Sequence, residues 1–392
     1  MKKIVFTEEF CQPENLFPFT LTRQVQDIRI GIRTIREKWE QALQMPSVDK
    51  FEEDYKDLER SVRIHASIGD DIYYLIHGNV FPTPKLVEAV KRLKPGELIS
   101  IPELESVAYC ISKNEVETEH RIKMGNVVEL DEPLKEIRFP WHIVEMNAWA
   151  IEEDFNALTR GRRSQKPSAT NQLINPEQIF IEEGAEVEYC ILNASGGPIY
   201  IGARAVLMEG SMLRGPVAVC EGAVVKMGTR IYGATTVGPY CTVGGEIKNS
   251  VLFECSNKAH DGYLGDAVIG AWCNLGAGTS NSNIKNNASE VMVFTPKEVR
   301  AVGLKCGVFM GDYSRTAINT SINTGTVIGV CANVFGQGLT PKYIPSFSWG
   351  SDGLERYRLN KVFADVENWK RLKGASLTQS EKIILQHIFD HY

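Results

Sequence analysis

Between about residues 178 and 345 the apolar positions recur every six residues. Counting from Ile201 gives Leu207, Leu213, Val219, Val225, Ile231, Val237 and Val243, eight aliphatic residues without a miss. Four positions after each of the first seven stand Ala205, Ser211, Val217, Ala223, Thr229, Thr235 and Cys241, all small or β-branched. A helix repeats every 3.6 residues and a strand every two, so neither makes this pattern. A parallel β-helix of triangular section does. One hexad forms each side, the aliphatic residue fills the interior, the small residue packs near a corner, and three hexads close a coil.

The frame returns as Leu304, Met310, Thr316, Ile322, Ile328 and Val334, with Ile269 and Leu275 as a shorter piece. It breaks over 248–264 and 280–303, where loops inserted at corners are expected. From about 346 the period is lost. Helix-like runs over Leu354 to Asn368 and Gln379 to Tyr392 are expected to cap the open end of the solenoid, with Trp349, Trp369 and Phe389 as packing groups.

The N-terminal part has a different pattern. A short strand at Ile4 to Phe6 is followed by a helix-like stretch from Ile28 to Leu43 and a charged segment at 49–63. A strand over Asp71 to Ile76 comes next, and then a helix from Pro84 to Leu93, started by proline and stopped by Pro95-Gly96. This order suits an α/β layer. Residues 156–178 are polar, basic and patternless, as a connector or exposed loop is. The expected division is an α/β domain over 1–155, a linker over 156–177, a β-helix over 178–345 and a helical cap over 346–392.

Composition narrows the function classes. The 392 residues carry 43 basic and 49 acidic side chains, a net charge of −6, which argues against a broad nucleic-acid surface. Mean hydropathy is −0.18, and no apolar run approaches the ~18 residues of a membrane span. Met1 to Phe6 is too short a run for a secretion signal. Nine scattered cysteines without a C-x-x-C pair fit reduced thiols in the cytoplasm rather than disulfides or a metal site.

The solenoid contains one histidine, His260. Arg230 and Lys248 are eighteen residues apart, so they are expected one coil above the other, about 4.8 Å apart on the same edge. Two cations that close repel unless an anion lies between them, and a phosphate suits an arginine fork beside a lysine. Glu246 is two residues before Lys248 and faces the same side. A carboxylate near an imidazole can fix its tautomer. The set fits an anionic substrate beside a general base.

Gly244-Gly245-Glu246-Ile247-Lys248-Asn249-Ser250, Ser256-Asn257-Lys258-Ala259-His260-Asp261-Gly262-Tyr263-Leu264-Gly265-Asp266, Asn274 to Thr279 with Asn283, and Ile344-Pro345-Ser346-Phe347-Ser348-Trp349-Gly350 carry a resemblance. The chain resembles the bifunctional glucosamine-1-phosphate N-acetyltransferase/N-acetylglucosamine-1-phosphate uridyltransferase family, in its shorter, alternative bacterial branch. The resemblance implies a homotrimer of left-handed β-helices that binds acetyl-CoA between subunits, makes precursors of UDP-N-acetylglucosamine and the cell envelope, and works without nucleic acid or membrane partners. It implies His260 as the base, Glu246 as the carboxylate that orients it, and Arg230 and Lys248 as the sugar-phosphate clamp. Tyr263 and Asn274 would position the sugar. Ala277, Asn283, Asp312 and Val330 would contact acetyl-CoA, with Asp312 standing where a small hydroxyl residue is usual, and Lys342 is a candidate for the CoA phosphates.

Leu16-Phe17-Pro18-Phe19-Thr20-Leu21-Thr22-Arg23 resembles the segment that follows the glycine-rich loop of sugar nucleotidyltransferases, yet Thr7 to Asn15 holds no glycine. Asn79 stands where that family has a Mg²⁺-binding aspartate, and an amide lacks the charge this hard cation prefers. Mg²⁺ with UTP or dTTP therefore enters only if this domain is active. Arg23, Arg29, Arg33 and Arg36 could meet phosphate or face solvent. Three functions are left open: amino-sugar 1-phosphate acetyl transfer, sugar-1-phosphate nucleotidyl transfer, and a non-catalytic trimeric scaffold.

Overall fold

A computed structural model describes residues 2–8, 11–48, 71–102, 104–118, 121–123 and 125–392. The charged segment at 49–63 lies outside the described residues. Contacts group the chain into two units. One holds residues 1–16, 23–28 and 33–138; the other holds 17–22, 29–32 and 139–392.

The first unit is an α/β layer around a mixed five-stranded sheet. Its strand order is Lys2–Thr7, Ile72–His77, Leu104–Ile111, Glu97–Ile101 and Asn126–Glu129. The outer pairs are parallel and the inner ones antiparallel. The expected helix from Ile28 is shorter. Helix α1 spans Ile35–Leu43 because Thr34 and Glu37 form a capping box at its start. Helix α2, Pro84–Arg92, begins at its proline with Thr83 as N-cap.

The second unit is a parallel β-solenoid with three faces. The first face stacks six strands from Gln172–Ile174 to Tyr263–Gly265; the second has nine, and the third ten. The hexads imply the β-helix, and its faces are consistent with the left-handed form that the resemblance implies. All eight aliphatic residues from Ile201 to Val243 are buried in one core, and so are the seven small residues between them. Met310, Thr316, Ile322, Ile328 and Val334 are also buried, but Leu304 is 56% exposed and belongs to the inserted loop. That loop, between the strands Ser280–Asn281 and Phe309–Met310, carries an antiparallel hairpin, Met292–Phe294 with Val299–Ala301.

The other break in the frame has the opposite cause. No loop is inserted over 248–264. Strands Val251–Leu252, Asn257–Lys258 and Tyr263–Gly265 continue the three faces, and the coil is shortened at its corners. Arg230 pairs with Glu246, sixteen residues on, and Val243 with Lys258, fifteen on, where the two coils just before repeat every eighteen. Gly244 and Gly245 make this possible. A Cβ on Gly245, at φ +78°, would lie 2.9 Å from the carbonyl oxygens of His260 and Gly262.

Helix α3, Pro140–Thr159, packs on the second face through buried polar groups. Asn147 accepts from the Gly31 N–H (2.7 Å) and donates to the Ala234 carbonyl (2.7 Å), while Asp154 accepts from the Ile32 N–H (2.8 Å). After α3 the basic stretch is tied to the solenoid, since Arg162 forks onto Glu182 and Gln165 pairs with Ile181. Helices α4, Leu359–Arg371, and α5, Gln379–His391, lie against the corner between the second and third faces. Lys373 reaches the Tyr240 carbonyl, Lys370 sits over Trp272, Tyr313 donates to Glu381 and Phe389 packs on Phe347, so contacts are spread over several coils.

Candidate functional site

The outward positions of the first face bring four of the expected residues together. In register, Arg230, Glu246 and Tyr263 form one column, and Tyr232, Lys248 and Gly265 the next. Arg230 and Lys248 are therefore not stacked one above the other. The sixteen-residue coil puts Glu246 over Arg230, and Lys248 over Tyr232. Arg230 Nη2 lies 3.6 Å from Glu246 Oε2, and the Tyr232 hydroxyl donates to Glu246 Oε1 at 2.7 Å. Lys248 Nζ sits 5.8 Å from the centre of the Tyr232 ring. Hydrogen bonding to Glu246 raises the Tyr232 pKa.

Glu246 is thus engaged with Arg230 and Tyr232, the latter a residue that sequence reasoning missed. Its signal was its place two residues after Arg230, on the same side of the strand. The Arg230–Glu246 pair is half-exposed at the arginine, and such pairs contribute only ~0–1 kcal/mol. A phosphate dianion offering a charge-assisted bidentate contact to the guanidinium can displace it.

His260 is exposed at the corner between the third and first faces, directly over Gly244 and Gly245. Ala277 is one coil further along this corner, where the Gly278 N–H donates to the Asp261 carbonyl at 3.0 Å. Tyr263 opens the next strand. Its hydroxyl accepts from Asn283 Nδ2 at 3.1 Å, and burial, then the charge of Asp266, push its pKa up to about 12. Asn283 also donates to Asp266 Oδ2 at 2.5 Å, and Asn249 to Asp266 Oδ1 at 2.6 Å. The Asn283 amide is held in this network.

The other expected contacts lie elsewhere on the same solenoid. Asn274 is on the third face, in register with Asn257 and Arg315. Asp312 and Val330 occupy the corner between the second and third faces and are buried. Asp312 accepts from the Thr22 hydroxyl (2.7 Å) and the Ala271 N–H (2.9 Å), which accounts for a carboxylate at this position. The Val330 N–H donates to Ser346 Oγ at 3.1 Å. Lys342 Nζ donates to the Thr324 carbonyl.

The segment that resembles the nucleotidyltransferase loop is used for packing in the second unit. Phe19 packs on Phe253 with ring centres 5.2 Å apart, Phe17 meets Phe294 and Tyr343, and Thr22 binds Asp312. In the first unit Asn79 is buried. Its Nδ2 donates to Glu136 Oε2 (2.9 Å) and the Ile137 carbonyl (3.1 Å), and its Oδ1 accepts from Cys11 Sγ (3.1 Å). An amide engaged on both ends does not fit a Mg²⁺ ligand, and among the described residues no group of three acidic, histidine or cysteine side chains could hold a metal. Arg36 forks onto Asp27, and buried Arg29 donates to the Ile32 carbonyl, so both serve the fold. Arg23 is half-buried and Arg33 half-exposed.

Residues 4–163 match the model of the sugar nucleotidyl transferase family. A bifunctional sugar-1-phosphate nucleotidylyltransferase/acetyltransferase of Sulfurisphaera tokodaii is 29% identical over 242 residues, 60% of this chain and 53% of the relative. The chain is similar to this bifunctional sugar-1-phosphate enzyme. Two further proteins to which the chain is similar are each called bifunctional protein GlmU. That of Methanococcus maripaludis (strain S2) is 39% identical over 85 residues, 21% of this chain and 20% of the relative. That of Methanocaldococcus jannaschii is 26% identical over 213 residues, 54% and 46%. The chain spans about half the length, or less, of these bifunctional relatives.

Proposed function

We propose that this chain is an acetyl-CoA-dependent N-acetyltransferase acting on an amino-sugar 1-phosphate, glucosamine 1-phosphate first. The observation that carries the reading is the first-face group of Arg230, Tyr232, Glu246, Lys248 and Tyr263 beside the exposed His260. Arg230 and Lys248 would hold the phosphate, and Glu246 would yield Arg230 to it. Tyr263, held by Asn283, would position the sugar. His260 takes a proton from the 2-amine as its nitrogen attacks the thioester carbonyl. The C–S bond then breaks, and the sulfur leaves as the free thiol with that proton. A backbone N–H would hold the oxyanion.

Asn274 is on the third face, away from His260, which suits a homotrimer in which a neighbour's surface completes the acetyl-CoA groove beside Ala277 and Asn283, whereas Asp312 and Val330 are buried and would not line it. The product suits the supply of UDP-N-acetylglucosamine and cell-envelope precursors. Nine cysteines that form no disulfide suit a cytoplasmic setting, and among the described residues no helix is long and apolar enough to cross a membrane.

A second reading, nucleotidyl transfer from UTP or dTTP, is favoured by the family match over 4–163. The engaged Asn79 and the packed Phe17–Thr22 segment weigh against it. Incubating the protein with glucosamine 1-phosphate and acetyl-CoA and following free thiol tests the first reading, while UTP or dTTP with Mg²⁺ and a pyrophosphate assay tests the second. Pyrophosphate without thiol would reverse their order; neither product would leave a trimeric scaffold.

A further inference from the structure

Inside the solenoid the third face presents Val225, Val243, Lys258 and Leu275 on successive coils, each at most 3% exposed. An aliphatic side chain satisfies the fold at every other one of these positions. Lys258 instead brings an ammonium into an apolar interior at 1% exposure, and burial lowers its pKa to about 8. Removing a charge from water opposes folding, so packing alone does not account for a lysine here.

Its contacts show what the amine does. Nζ donates to the carbonyl of His260 at 2.5 Å and to that of Gly244 at 3.3 Å. These two carbonyls belong to consecutive coils at the shortened corner, where the chain turns over Gly244 and Gly245. The His260 carbonyl is drawn inward, and its imidazole, on the same residue, is left at the exposed edge.

We infer that Lys258 is a positioning residue for His260: its buried amine clamps the His260 and Gly244 carbonyls and so fixes where the imidazole stands against the first-face cluster. The inference deepens the acetyltransferase reading and rests on it for its kinetic consequence. A displaced general base lowers the rate of proton transfer without changing the phosphate clamp, so kcat falls and the sugar-phosphate KM holds.

The test is Lys258→Met, which keeps a long apolar stem and removes the donors. In thiol-release assays with glucosamine 1-phosphate and acetyl-CoA, kcat is expected to fall about tenfold to a hundredfold, with the sugar-phosphate KM within about twofold. The variant should melt no lower than the parent. A readout independent of turnover accompanies this: the imidazole signals of isotope-labelled histidine, with that of His260 assigned through His260→Gln. The His260 signal should shift or broaden in Lys258→Met, while those of His387 and His391 on α5 stay in place. An unmoved His260 signal, an unchanged kcat, or a variant that melts well below the parent would each overturn the inference. A parent without thiol release, but with a His260 signal that moves in the variant, would sink the acetyltransferase reading and leave the clamp standing.

Discussion

Burial of Lys258 has a thermodynamic consequence that can be measured apart from catalysis. Its pKa falls from 10.5 to about 8 on folding, chiefly through burial, while Asp261 acts in the opposite direction. At about 1.4 kcal/mol for each pH unit, the ionisation opposes folding by about 3 kcal/mol when the lysine is protonated in both states. The unfolded chain binds more protons than the folded one between pH 8 and 10.5, so this residue makes stability rise with pH across that window. Lys258→Met removes the dependence. Urea unfolding of both proteins at pH 7 and pH 10 isolates it, because every other titrating group is common to the two. The variant is expected to be the more stable at pH 7, with most of its advantage lost by pH 10. A stability difference that does not change with pH, or grows toward pH 10, would refute the assignment of Lys258 as a buried, ionisable interior residue.

Two further outcomes follow from the shortened coil and the first face. Gly245→Ala forces a Cβ to 2.9 Å from two carbonyl oxygens at φ +78° and should cost about 1–3 kcal/mol by thermal unfolding. Gly228→Ala, at φ +66° with nothing within 4 Å, should cost only about 1 kcal/mol, and equal losses would contradict the close stacking of Gly245 under His260. Glu246→Gln replaces the carboxylate that accepts the Tyr232 hydroxyl with a weaker, neutral acceptor, so the Tyr232 pKa should fall, read by ultraviolet titration against Tyr232→Phe. An unchanged titration would place Glu246 elsewhere.

Much of the solenoid was legible because its interior obeys one rule of spacing. Each aliphatic residue from Ile201 to Val243 is buried as its place in the count requires. The count failed at Gly244-Gly245, since counting in sixes assumes that every corner has the same length. The frame restarts there at Leu252, Lys258 and Leu264, again six apart, and a lysine at the middle place hid the restart. The same slip misplaced the phosphate clamp. Eighteen residues suggested that Arg230 and Lys248 stack, whereas the coil puts Glu246 above Arg230. The local motif at Leu16 to Arg23 was legible as a resemblance, but not its use, because Phe17, Phe19 and Thr22 meet partners at Phe253, Phe294, Asp312 and Tyr343 that no local spacing reveals.

The central claim is that the first-face cluster and His260 form an acetyl-transfer site. Thiol release from acetyl-CoA, measured against glucosamine 1-phosphate for the parent, His260→Ala and Lys248→Met, tests it most directly. Turnover is expected in the parent, and kcat should collapse in His260→Ala. In Lys248→Met the sugar-phosphate KM should rise at least about tenfold, as loss of a charge-assisted contact of ~1.5–3 kcal/mol requires. Turnover that survives His260→Ala, or a KM unchanged in Lys248→Met, would contradict it.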